Sequence, residues 1–237
     1  MKLFSDTLVV IPARGGSKGI PDKNIRSLGN KPLIHYSIDI ARCLFDDENI
    51  CVSTDSEKIK QVAEQTGLKV LFLRPSYLAT DTAGSYEVLL HALHFYEEKG
   101  KQFNRIFLMQ PTSPFRIERH VRDVFQKYDN HTDMVVSVGV SHHNPYFSLF
   151  EENDNGYLVK SKMGNFARRQ DCPPVYYLNG SMYLINTAML KEKQLDQFER
   201  VKKYVMDEKY CLDIDTPLDW LICEALLEKG IYRNENN

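Results

Sequence analysis

VVIPARGGSKGIPDKN, residues 9–24, is the stretch on which the reading of the whole chain turns. An apolar run from Leu8 to Ile11 reaches Pro12 and then a loop that holds three cations, Arg14, Lys18 and Lys23, with Gly15, Gly16 and Gly19 between them. Such a loop suits a polyphosphate. Glycine lets backbone N–H groups come close to anionic oxygens, arginine offers a two-pronged donor and lysine a mobile point charge. The spacing matches neither a Walker loop nor G-x-G-x-x-G, so P-loop and dinucleotide readings fail. A glycine-rich surface turn with solvated charges would carry the same residues. Position argues against that, because open α/β sheets bind ligands where strands end, and this loop leaves the first strand there.

The chain has 237 residues, 43% hydrophobic and 26% charged, enough for one substantial core and a single domain over residues 1–237. The net charge of −2 and the lack of a dense Lys/Arg run leave no field for nucleic acid or an anionic membrane. Five cysteines, Cys43, Cys51, Cys172, Cys211 and Cys223, are scattered with no C-x-x-C pair, which argues against a disulfide framework or a zinc knuckle. Ser5 and Asp6 precede an apolar run too short for a secretory signal or a membrane span, so a cytoplasmic protein is expected.

Outward from the loop, helix-like and strand-like segments alternate. The spacing predicts a helix over 31–45 with Pro32 at its first position, a strand over 49–54, a helix opened by Asp55, Ser56 and Glu57 and closed by Gly67, and a third strand over 69–73. Arg74 leaves that strand, and residues 81–85 lead into a long helix beginning near Tyr86. A strand over 107–110 runs into PTSPFR, followed by a helix over 117–128 and a strand over 134–140. This order predicts a Rossmann-like α/β fold, a mostly parallel sheet flanked by helices. Asp55 suits a ligand contact or a helix cap, the hydroxyl residues of 81–85 a base edge or a cap, and Gln110 a rigid ligand-facing edge or a loop tie.

From about residue 142 to 175 the alternation gives way to turns and clustered aromatics, an excursion of hairpins and loops. His142 and His143 point to opposite faces of an extended chain and do not chelate together. In VYYLNGSMYLIN, Asn179–Gly180 by itself signals a hairpin turn before a strand over 181–185. In YCLDIDTPLDW, Asp213 and Asp215 stand two apart on an expected strand end, so both carboxylates project to one side and suit Mg2+. Thr216 and Pro217 begin the last helix as cap and first residue. Helix preparation accounts for Asp215 but gives no reason for Asp213.

The first loop, QPTSPFR, the RQ-x-x-P pattern at Arg169 and DIDT resemble, in content and order over nearly the whole chain, the motifs of the acylneuraminate cytidylyltransferases, which activate sialic-type sugars with CTP. The resemblance implies a nucleotide site of Ala13, Arg14, Gly15, Gly16, Ser17, Lys18, Lys23, Asn24, Arg74 and Gln110, with Ser85 on cytosine. It implies catalysis by Arg14 and Lys23 with Mg2+ on Asp213 and Asp215. The sugar would meet Gln110, Arg169, Gln170, Asn179 and Tyr183, with Lys160, Lys162 and Arg168 as further cations suited to a planar carboxylate. It also implies a homodimer in which the excursion reaches the partner's active site. Two positions depart from enzymes specific for N-acetylneuraminate, which carry cations where this chain has Phe147 and Tyr177. NPYFSLFEE, VKSKMGNF and RRQDCP look instead like the legionaminate branch, whose sugar presents a methyl and an acetamido group where sialic acid presents hydroxyls. The expected reaction is CMP transfer from CTP to a nine-carbon 2-keto sugar acid, legionaminate before N-acetylneuraminate or KDN. Rivals are a Kdo or hexose-phosphate nucleotidyltransferase, a D-x-D glycosyltransferase reading Asp213 and Asp215, and a non-catalytic sensor.

Overall fold

Thr7–Pro12 is apolar enough to be buried along nearly all its length, and a strand buried on both faces belongs in the middle of a parallel sheet. The computed structural model, which describes residues 4–80 and 84–232, places it there. In chain order the elements are β1 (Thr7–Pro12), β2 (Ser27–Leu28), β3 (Lys31–Pro32), α1 (Leu33–Leu44), β4 (Ile50–Ser53), α2 (Glu57–Glu64), α3 (Ser85–Glu98), β5 (Arg105–Met109), α4 (Glu118–Gln126) and β6 (Met134–Val140). Then follow β7 (Phe150–Glu152), β8 (Leu158–Lys160), β9 (Tyr176–Asn186), α5 (Thr187–Glu192), β10 (Val201–Val205) and α6 (Pro217–Glu228). The main sheet runs β10-β6-β9-β5-β1-β4, parallel except at β9, which is antiparallel to both β5 and β6. The mostly parallel, helix-flanked architecture matches the expectation.

Side chains alternate across the sheet and split the core into two layers. Val9, Ile11, Phe107 and Leu184 face α1, α2, α4 and α6 through Ile38, Ala63, Val124 and Trp220. Leu8, Val10, Leu108 and Ile185 face α3 and α5 through Leu89, Leu93 and Leu190. Among the described residues no helix is long and apolar enough to cross a membrane.

Four local expectations change. Residues 69–73 form no strand: Val70 is buried and its N–H donates to Glu64 Oε1 (3.1 Å), and Phe72 packs on Phe95, but Leu71 and Leu73 stay exposed and no ladder forms. Pro32 is the cap of α1, not its first residue, because it also pairs with Ser27 in the small β2-β3 ribbon. Asn179–Gly180 lies inside the long strand β9 and not at a hairpin turn. Gly180 takes φ +71° and the pairing with β6 shifts register between Val136 and Val138, which marks a bulge. Asp213 and Asp215 lie in an unpaired loop, where Ile214 is buried between them and its N–H donates to the Thr112 carbonyl (2.9 Å).

Phe107 stacks with Phe45 and meets Phe125 edge-on at 5.3 Å, at full burial. Phe107→Ala should lower unfolding free energy by about 3–5 kcal/mol, read as a lower midpoint with unchanged slope in urea unfolding.

Candidate functional site

The parallel strands deliver their carboxyl ends to one edge of the sheet, and the chain crowds that edge with charge. From β1 the backbone continues through Ala13, fully buried, whose N–H donates to the Ser53 carbonyl at the end of β4 (2.9 Å). The glycine loop then turns outward with Gly16 at φ +67° and Asp22 at φ +51°. Ile20, 2% exposed, pins its middle into the core. Asn24, also buried, donates from Nδ2 to the Arg14 carbonyl (3.1 Å), so the loop closes on itself.

Two contacts fix this loop to its surroundings. The Gly15 N–H donates to Asp55 Oδ1 (2.9 Å), while Ser56 caps α2 by accepting from the Ile59 N–H. Asp55 is therefore a brace for the loop and not the helix cap. On the other side Lys23 Nζ donates to the Ile214 carbonyl (2.6 Å) and to Asp215 Oδ1 (3.0 Å). Gly19 lies so close to that segment that an added Cβ would come within 2.3 Å of the Asp215 carbonyl oxygen. Only glycine allows the approach.

Between these walls is a cleft of about 300 Å³. Arg14, Ser17, Lys18 and Gly19 line it from the loop, with Lys23 and Asn24 at its end. Gln110, Pro111 and Thr112 line it from the turn after β5, and Asp215 from the acidic loop. The structure thus joins the cation loop, the amide at the end of β5 and one carboxylate.

Asp213 sits deeper. Burial pushes its carboxyl above the usual range and Asp215 adds to this, against the Thr112 hydroxyl, Lys23 and Arg116, which favour the charged form. Its Oδ1 is buried without a hydrogen-bond partner. The backbone of Gly180 lies against the other oxygen, with room only for hydrogen: a Cβ there would be 2.6 Å from Oδ2.

Arg74 is 5% exposed, held by its N–H to the Thr54 carbonyl (2.7 Å), with Asp55 3.8 Å from one terminal nitrogen. Among the described residues its Nε and Nη2 have no hydrogen-bond partner. Burial lowers its pKa; Asp55 opposes the shift and the nearby Arg14 charge reinforces it. Two guanidinium groups brought within each other's field make a place for an anion.

Other expected residues stand outside the cleft. Ser85 is the exposed first residue of α3, and Asp81, Thr82 and Ala83 of the expected 81–85 stretch lie outside the described residues. Phe147 is half-buried in a turn closed by its N–H on the Asn144 carbonyl (3.0 Å), and Arg169 and Gln170 lie exposed in a short 3₁₀ turn, Arg169–Asp171. The Tyr177 ring covers Gly139, and burial, followed by Cys211, pushes its hydroxyl up to about 12. Tyr183 is half-buried in mid-strand, its pKa raised by burial and then by Asp213. Asn179 corrects an expectation: its amide faces the interior, where Oδ1 accepts from Ser137 Oγ (2.7 Å) and Nδ2 points to the sulfurs of Met206 and Cys211. It shapes the bulge and does not face the cleft. Arg116, passed over in the QPTSPFR motif, is buried under the cleft floor.

The chain is similar to known proteins. The family profile described as cytidylyltransferase matches residues 8–236. An N-acylneuraminate cytidylyltransferase of Streptococcus agalactiae serotype V (strain ATCC BAA-611 / 2603 V/R) is 37% identical over 237 residues, 97% of this chain and 55% of its own length, so the chain spans about half of that relative. A CMP-N,N'-diacetyllegionaminic acid synthase of Legionella pneumophila subsp. pneumophila (strain Philadelphia 1 / ATCC 33152 / DSM 7513) is 36% identical over 223 residues, 93% of this chain and 96% of its own length. The solved structure of a CMP:2-keto-3-deoxy-manno-octonic acid synthetase complexed with CTP superposes with a TM-score of 0.69 at 17% identity, covering 95% of this chain and 100% of that one, a likeness of fold.

The raised pKa of Asp213 has a stability consequence. The folded state holds its proton more tightly than the unfolded chain, so ionising it costs stability above the folded pKa and nothing below the unfolded value, about 3.9. Asp213→Asn should melt above the wild type at pH 7–8, with the gap closing toward pH 4. Thermal unfolding at several pH values checks this, and equal melting at neutral pH would refute it.

Proposed function

We propose a reaction for this chain, which belongs to the cytidylyltransferase family: transfer of CMP from CTP to the anomeric hydroxyl of a nine-carbon 2-keto sugar acid of the legionaminate type, with release of pyrophosphate. The observation that carries it is the cleft in which the glycine loop, Gln110 and Asp215 meet at the carboxyl edge of the sheet.

The loop from Arg14 to Lys23 receives the triphosphate, whose charge its N–H groups and cations match. Arg74, within the field of Arg14, and Ser85 are the further candidates for contacts to the nucleotide. Gln110 offers an amide donor and acceptor at the junction of nucleotide and sugar. The anomeric oxygen attacks the α-phosphorus in line; its O–P bond forms as the bond to the β-phosphate breaks, and the hydroxyl proton passes to solvent or a nearby carboxylate. Negative charge grows on the transferred group and on departing pyrophosphate, and Arg14 and Lys23 are placed to stabilise it. Lys23 now bridges Ile214 and Asp215, so the arriving triphosphate takes over a cation that the acidic loop has been holding.

Asp213 and Asp215 would hold Mg2+. The unpartnered Oδ1 of Asp213 supports this, and because no group of three or more His, Cys, Asp or Glu is placed to hold an ion among the described residues, the shell would be completed by water and phosphate oxygens. When bound, Mg2+ neutralises phosphate charge.

Phe147 and Tyr177 carry the sugar preference. Aromatic walls suit a methyl group and leave a hydroxyl without a partner. The relative of Legionella pneumophila, named for diacetyllegionaminic acid, supports the same choice. Arg169 remains the first candidate for the sugar carboxylate, by its planar donor pair. The excursion bears exposed Leu149, Phe150, Leu158, Val159 and Met163, the last 88% exposed, which supports a homodimer that covers them. A cytoplasmic place is supported by the need for CTP and by cysteines scattered without a C-x-x-C pair.

Pyrophosphate release from CTP and Mg2+ should occur with N,N'-diacetyllegionaminate at a higher kcat/KM than with N-acetylneuraminate or KDN, and hardly with Kdo. No release with any of the four from folded protein would overturn the reaction. Phe147→Lys with Tyr177→Arg should shift preference toward N-acetylneuraminate by about 10-fold or more, the scale of one or two pocket contacts.

A further inference from the structure

Arg116 is 2% exposed, yet its guanidinium is occupied on every side. Nε donates to Ser181 Oγ (3.0 Å), one terminal nitrogen to Ser37 Oγ (2.7 Å), and the other to the Gln110 carbonyl. These acceptors sit on β9, on α1 and in the turn after β5. None is a carboxylate. The charge nearest in effect is Asp213, and burial lowers the arginine pKa to about 9, which leaves it cationic at neutral pH. A buried cation without a direct counter-ion is costly, and an apolar side chain of similar volume would commonly serve stability as well or better. A reason in the cleft accounts for its presence.

The bonds form a ring. The Gln110 N–H donates to the Ser181 carbonyl (3.3 Å), and Arg116 links the Ser181 hydroxyl back to the Gln110 carbonyl. Pro111 further restricts the backbone of Gln110. With N–H and C=O both held, what remains of Gln110 is the side chain of a residue that lines the cleft. Ser181 in turn follows Gly180, whose backbone lies against Asp213.

We propose that Arg116 is a positioning residue for nucleotidyl transfer: its three-way clamp on Gln110, Ser181 and Ser37 sets the direction of the Gln110 amide and the seat of Gly180 behind Asp213. The proposal rests on the cytidylyltransferase reading. Arg116 touches no substrate. Its far side lines a separate cavity of about 850 Å³ between α1 and α6, which gives small ions a route to the place of its side chain.

The test is steady-state pyrophosphate release by full-length Arg116→Lys and Arg116→Ala, beside their melting temperatures. Arg116→Lys keeps the charge and loses the fork; it should stay folded with kcat lower by about 10²-fold, the scale of a displacement near 1 Å, and with KM for CTP changed far less. Arg116→Ala should regain turnover saturably on adding guanidinium chloride well below denaturing concentrations, and not on adding urea, which has a similar shape without charge. If Arg116→Ala does not fold, the lysine variant decides. Wild-type kcat in Arg116→Lys, or equal rescue by urea and guanidinium, would overturn the clamp. Absence of turnover in the wild type would instead strike the reaction itself, so the two failures are distinct.

Discussion

Lys23 joins two loops separated by 191 residues and holds them face to face across the cleft. Its ammonium bonds the Ile214 carbonyl as well as the Asp215 carboxylate, and the side chain is only 12% exposed. Exposed ion pairs contribute little; a largely buried lysine with a second, neutral acceptor loses less to solvent. Gly19 permits this closeness and Ile20 anchors the loop from below. Cation loop and acidic loop therefore face one another before any ligand is present, so the cleft is largely preorganised.

That organisation is costly in buried charge. Arg74 has two donors without hydrogen-bond partners, Asp213 one unpartnered oxygen, and Arg116 no carboxylate in contact. Such groups are seldom retained for stability alone, and these three lie near the carboxyl edge of the sheet, beside the cleft. The two apolar layers below absorb the cost.

Much of this was legible in the chain. β1 and the glycine loop are local: an apolar run, then glycines and cations, each readable from its neighbours. The helices followed from period and caps. What escaped were non-local facts. Residues 69–73 have a strand's composition but no ladder, because pairing depends on a neighbour that composition does not reveal. Asn179–Gly180 reads as a turn, but β5 and β6 on either side convert it into a bulge and draw the amide inward. Asp55 looks like a cap, yet Ser56 beside it takes that role. Arg116 resembles any arginine before a helix, and its burial depends on serines 79 and 65 residues away.

The excursion leaves the sheet after Val140 and returns at Tyr176, and those two residues are paired across the β6-β9 ladder, with the Ser141 N–H closing on the Val175 carbonyl (2.9 Å). Its two ends are thus next-door neighbours on a rigid stem. Content and length between them can change without moving the strands, since closure is already secured by the ladder and longer loops cost only slowly more entropy. The fold thereby separates the sheet and the loops at its carboxyl edge from a segment that closes on its own stem.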